Sequence, residues 1–154
     1  MNLRMMKNLK QILAATATSL VIFISSCDKT EQYALTCRID GQEWLSKGTV
    51  MAIVGANGLL INATSNTLFP IALSIKNYDS LGVYALDSLN NAFLYGSSLS
   101  SGYYAKFAKP GIVEVTEFNA ADKKVKGTFS LTAYKTNGDS VMVTDGTFNI
   151  FYQN

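Results

Sequence analysis

Histidine is absent from this 154-residue chain, cysteine and proline occur twice each, and only 16% of the residues are charged. Without histidine there is no general base of the usual kind, no imidazole metal ligand, and no Ser-His-Asp or Cys-His arrangement. Catalysis would fall to carboxylates, lysine or tyrosine, and the carboxylates are scattered along the chain. Glu114 and Glu117 share one apolar segment at an odd spacing, which in a straight strand points them to opposite faces. A paired-carboxylate glycosidase site is therefore not expected. Neither Asn137-Gly138-Asp139 nor Asp79-Ser80 supplies the ligand spacing of a calcium loop. These absences lead us to expect a protein that is not an enzyme, with no catalytic residue, no metal site and no cofactor.

Basic residues are also sparse where they matter. The formal net charge is +2, but Arg4, Lys7 and Lys10 lie in an N-terminal leader, and the remaining ten basic side chains face eleven acidic ones. Nucleic-acid binding needs a basic stripe that replaces phosphate counterions, whereas the one cluster here is Lys123, Lys124 and Lys126 beside a turn. No nucleic-acid partner is expected.

The first residues read as an export leader. Residues 1–11 carry three positive and no negative charges, as suits the end that stays on the cytoplasmic side during export; Met1, Met5 and Met6 are all possible starts. The apolar run 12–24 would reach about 20 Å as a helix, short of a ~30 Å hydrocarbon core, and it contains Thr16, Thr18 and Ser19. It reads as a leader helix of the precursor, not a membrane span. The run ends in Ile24-Ser25-Ser26-Cys27, which resembles the lipobox of bacterial lipoproteins. That resemblance implies a diacylglyceryl thioether on Cys27, cleavage before it, and acylation, commonly palmitate, of the new amino group. Two or more acyl chains hold a protein firmly to a bilayer. The expected organisation is a signal peptide at 1–26, a lipidated Cys27 and tether at 27–33, and one domain at 34–154. The expected location is the cell envelope, anchored to the outer membrane, with its face open. Cys37, left without a partner, reads as a small buried apolar residue.

After residue 33 short alternating runs recur between Gly, Asn, Asp and Ser, and no apolar period of 3.6 is sustained. Strands are expected at 34–40, 42–45, 49–54, 59–63, 71–76, 82–86, 92–95, 103–107, 112–118, 125–135 and 140–152. Asp40-Gly41, Asn57-Gly58 and Asn137-Gly138 suit tight turns. In the last hairpin Val125, Gly127, Phe129, Leu131 and Ala133 share one face. Val141 and Val143 fall out of phase with Phe148, Ile150 and Tyr152, so a one-residue bulge at Asp145-Gly146 is required. A three-residue loop at 137–139 would set Ala133 opposite Val143 and Phe129 opposite Phe148. The fold class is all-β: an antiparallel β-sandwich of about eight to eleven strands, with a β-barrel as the alternative.

The order of IDGQEW at 39–44, GIVEVT at 111–116, KGTFSLTA at 126–133 and VTDGTF at 143–148 resembles a family of uncharacterised lipoproteins from Bacteroidota. The likeness covers most of the mature chain and is loose over 55–108. It implies a lipobox leader and an all-β body and carries no active site. Trp44, the position it marks most, reads as a core plug, with a ligand-binding ring as the other reading.

The segment 92–107, with Tyr95, Tyr103 and Tyr104 around a Gly/Ser loop, is the candidate ligand contact, since aromatic faces suit the apolar side of a sugar ring; its plainer reading is a hairpin loop. Asp79-Ser80-Leu81, Asp87-Ser88-Leu89 and Asp139-Ser140-Val141 resemble the acceptor of a Bacteroidota O-glycosylation system, which makes Ser80, Ser88 and Ser140 candidate sites beside their ordinary use in turns. The function expected is a membrane-anchored envelope lipoprotein acting as a non-catalytic binding module for a glycan or an envelope protein. The alternative is a β-barrel carrier of a small apolar ligand.

Overall fold

The computed structural model describes residues 35–154 apart from 67, 77, 79, 80 and 99. The leader, Cys27, the tether and Ser80 lie outside the described residues. Eleven strands follow one another: β1 (Leu35–Ile39), β2 (Gln42–Leu45), β3 (Val50–Gly55), β4 (Gly58–Ala63), β5 (Ile71–Ile75), β6 (Gly82–Leu86), β7 (Asn91–Tyr95), β8 (Tyr103–Tyr104), β9 (Gly111–Asn119), β10 (Lys124–Tyr134) and β11 (Ser140–Gln153). The architecture is all-β, and each expected strand is present within a few residues of its expected bounds.

The strands form one mixed sheet in the order β2-β1-β11-β3-β4-β5-β7-β8-β10-β9-β6, with β11 also paired to β10. That extra ladder joins seven strands, β11-β3-β4-β5-β7-β8-β10, into a closed circuit. Two slender pairings complete it: a parallel one between Tyr152 and Gln153 of β11 and Ala52 and Ile53 of β3, and the single pair Tyr104–Tyr134 between β8 and β10. The strands thus wrap about one core. Phe93 of β7 meets Phe129 of β10 across it, with ring centroids 6.0 Å apart.

Alternation decides what is buried. Ile61, Leu73 and Phe93 point inward from neighbouring strands and are almost fully buried, as are Val113, Val125 and Phe148; each such side chain contributes about 1.5–3 kcal/mol on leaving water. On β10 the inward set is Val125, Gly127, Phe129, Leu131 and Ala133, the face read from the sequence. Asp40 and Gly41 turn β1 into β2 with φ of 50° and 80°, the positive values a two-residue hairpin turn requires.

The expected bulge is present, one residue earlier than Asp145-Gly146. Phe129 pairs with Gly146 and Leu131 with Val143, so β11 carries one extra residue at Thr144-Asp145, and Asp145 has φ 52°. The hairpin register differs by two residues from expectation. Lys135 N donates to Asp139 O, and Gly138 N to Lys135 O. The three-residue loop therefore spans 136–138, with Gly138 last at φ 99°, because such loops place their left-handed residue at the third position. Ala133 faces Val141, not Val143, and Phe148 faces Gly127, not Phe129. A shift of two preserves every face. It also gives the repeated Gly-Thr-Phe a purpose: the Phe148 ring lies over Gly127 and the Phe129 ring over Gly146.

A second bulge corrects the reading of the acidic pair. Lys126 faces Glu117 while Gly127 faces Val115, so Thr116 is an extra residue in β9 and the phase changes after it. Glu114 and Glu117 consequently share the outer face. Glu117 is engaged by Lys126, with Nζ 3.1 Å from its carboxylate.

Candidate functional site

The expected aromatic contact separates into two parts. Tyr103 and Tyr104 are consecutive in β8 and point to opposite sides of the sheet. Tyr103 stacks on the buried Tyr95, centroids 6.0 Å apart and planes at 25°, and Lys135 Nζ lies 4.5 Å over its ring. Burial pushes the Tyr95 hydroxyl pKa above its ordinary value. Phe69 meets Tyr95 edge-on at 5.8 Å. Tyr95 and Tyr103 are thus held by rings and a lysine. Trp44 is fully buried, and its indole N–H donates to Phe69 O at 2.9 Å, so no external ligand reaches it.

Tyr104 faces outward beside its register partner Tyr134 of β10. Lys106 and Lys109 place their ammonium groups 4.7 and 5.7 Å from the Tyr134 ring centre. This corner borders a larger feature. Outward positions on adjoining strands line up in register as one row, Met51-Asn62-Ala72-Leu94-Tyr104-Tyr134. A second row reads Ile53-Leu60-Ser74-Ala92. Neither row holds a charged residue. The outer face of β1, β11, β10 and β9 mixes charge with apolar side chains: Arg38 stands 3.5 Å from Asp145, together with Lys126, Glu114 and Glu117, and Ile112, Met142 and Phe151 are exposed. The signal was available, since alternate residues of β3, β4, β5 and β7 lack charge. Their lateral alignment follows from registers that periodicity does not supply.

The serine candidates differ. Ser140 is exposed at the start of β11. The Ser88 hydroxyl donates to Ala105 O, and the residue adopts φ 67°, so its acceptor triplet belongs to a structured loop. Asp87 organises that loop: its Oδ1 accepts from Leu89 N and Asn90 N, both at 2.9 Å. Asn91 ties the loop to its neighbours by donating to Ala85 O at 2.8 Å and accepting from Lys76 N at 2.9 Å. The Asn90 N–H, foremost, holds the Asp87 carboxyl below its usual pKa, outweighing its burial. A pKa lower in the folded than in the unfolded chain means that ionisation favours folding. The contribution is complete above the unfolded value of about 3.9 and is lost as pH falls through the folded one. We expect Asp87→Asn to show a shallower loss of thermal stability than the wild type between about pH 5 and pH 2, by circular dichroism melts; equal slopes would contradict this role.

Cys37 is buried, and burial pushes its thiol up to about 12. The thiolate is the reactive form, so iodoacetamide should leave Cys37 unmodified in the native protein and alkylate it fully in denaturant. Peptide mass spectrometry reads this directly, and alkylation at the rate of an exposed thiol would show that the strand opens. Among the described residues no three Cys, Asp or Glu side chains gather in a metal-binding group.

Comparison with known proteins adds a family. Residues 31–151 match the family described as a domain of unknown function (DUF6252). No curated protein and no solved structure matches.

Proposed function

We propose that this chain, which belongs to the DUF6252 family and so inherits no described activity, is a membrane-anchored, non-catalytic binding module that works through the outer face of β3, β4, β5 and β7. The uncharged rows across those strands carry the reading, because solvent-facing sheet surfaces are ordinarily polar and a contiguous weakly apolar area marks an interaction site. The core supports it too. Trp44, Phe93 and Phe148 fill it, which favours contact on the outside over a ligand carried within. The anchor rests on Ile24-Ser25-Ser26-Cys27 and the basic, apolar leader before it, and the resemblance to Bacteroidota lipoproteins supports a location in the cell envelope.

Two experiments test the two halves. Metabolic labelling with an alkynyl palmitate should mark the wild type and leave Cys27→Ser unlabelled; an unlabelled wild type removes the anchor. A photoreactive side chain at position 72 should form adducts in intact cells that one at position 128, on the charged face, does not form. Equal yields from both positions would remove the binding face.

A further inference from the structure

We propose that the turn 106–109 and the loop 87–90 form a second membrane contact, in which Phe107 and Leu89 enter an anionic phospholipid surface between lysines. This contact adds to the proposed anchor at Cys27 and stands or falls apart from it. Phe107 is the most exposed large apolar side chain among the described residues, at 68%, and Leu89 is 60% exposed. Both sit on tight turns. Lys106 and Lys109 close the first as an isolated bridge, with Lys109 N donating to Lys106 O at 3.1 Å, so Phe107 and Ala108 stand at its tip. The second is wound on Asp87, whose Oδ1 accepts from Leu89 N and Asn90 N. The two turns are joined where the Ser88 hydroxyl donates to Ala105 O, one residue from Leu89 and two from Phe107. Hydrogen-bonded backbone thus holds out two apolar tips in neighbouring turns.

Cations surround them. Lys76 Nζ donates to Leu89 O at 3.2 Å, and Lys106 and Lys109 flank Phe107 while their ammonium groups lie over the Tyr134 ring. From Ser88 to Val113 the chain holds no Asp or Glu. The one carboxylate of these loops, Asp87, is buried and turned to backbone N–H groups. This pattern selects the occupant. Protein interfaces are depleted of lysine, and their apolar anchors fill pockets near the centre, whereas here lysines adjoin both tips. A bilayer surface asks for what the turns supply. Apolar and aromatic groups settle at the headgroup boundary, ammonium groups on flexible stems reach the phosphates, and anionic lipid attracts the positive charge. In an anchored chain the contact forms at high effective concentration, so modest strength suffices.

Trp44 is fully buried, so an added tryptophan reports its own position. Phe107→Trp and Leu89→Trp are at exposed sites and leave the core intact. In the full chain, reconstituted into brominated phosphatidylcholine vesicles with about one-third phosphatidylglycerol, both should be quenched and blue-shifted, and far less so without phosphatidylglycerol. Lys76→Glu with Lys109→Glu should shift docking about 25-fold or more, since each lysine is worth about fivefold at such a surface. Raising salt to about 0.5 M should weaken it likewise, and Phe107→Ser should reduce the quenching of Leu89→Trp. Thr128→Trp should stay unquenched; its register partner Thr147 also faces Thr36, beside the tether. Quenching at 128 but not at 107 or 89 would overturn the proposal, as would equal quenching on neutral and anionic vesicles. So would no quenching at 107 or 89 while the chain still sediments with the vesicles, an outcome that leaves the anchor standing. Quenching at 107 and 89 in a chain that takes up no palmitate would support this contact and remove the anchor.

Discussion

Trp44→Ala is expected to remove about 3–5 kcal/mol of stability, the range found when a large buried aromatic is truncated. The indole reaches the core from β2, a strand whose one ladder is to β1, and it is completely buried beside its register partner Cys37. Truncation leaves a cavity at the end of the sheet and deprives the Phe69 carbonyl of its 2.9 Å donor. Trp44→Phe restores much of the apolar area without the donor, so its cost should be smaller by at least about 1–2 kcal/mol. Trp44 is also the sole tryptophan of the chain, so urea titrations should follow circular dichroism, not fluorescence. A loss for Trp44→Ala below about 1 kcal/mol would show that the ring is dispensable packing.

Gly127→Ala should rank next, at about 2–3 kcal/mol, because adding a methyl to a filled site costs more than its small volume suggests. A Cβ at this position would overlap both the carbonyl of Glu114 and the Phe148 ring. The ring has some freedom to turn, but the carbonyl belongs to the β9 backbone and stays where its ladder holds it. Phe148→Leu combined with Gly127→Ala should therefore recover only part of the loss relative to Phe148→Leu alone. Gly41→Ala provides the contrast. Nothing lies within 4 Å of a Cβ there, and φ is +80°, so its cost is the conformational one of about 1 kcal/mol. Urea midpoints at unchanged slope would order the three variants; a Gly127→Ala no worse than Gly41→Ala would mean that β9 and β10 are less tightly apposed than they stand here.

Alternation along the chain was enough to find the strands, their inward faces and, to within one residue, the bulge in β11. All three are local facts: a residue and its second neighbour share a face, and a phase error must be repaired nearby. The hairpin register was missed by two residues because Gly138 was set at the middle of a loop 137–139, when the geometry asks for it at the end of a loop 136–138. The bulge at Thr116 was missed because Glu117 and Phe118 still make a plausible alternating pair without it. The parallel contact of Tyr152 with Ala52 lies beyond periodicity altogether, since lateral order is set by how the whole core closes. The candidate site followed the same division. Tyr104 was legible as a candidate contact along with Tyr95 and Tyr103, but that it alone of the three faces outward, and the rows that give it neighbours, depend on five separate registers.

β11 lies beside β1, β3 and β10 at once, and its partners begin at Leu35, about the far end of the domain in sequence. Until β11 emerges, β1 and β3 each lack one of their two lateral neighbours, and the loops that must close are long; closure of the domain is therefore a late event that waits for β11. Local pairs such as β3–β4 and β4–β5 need no β11, but the circuit of strands cannot close without it. A domain whose circuit is still open has not locked its core, and such a late closure by β11 is compatible with the export that the proposed leader would require.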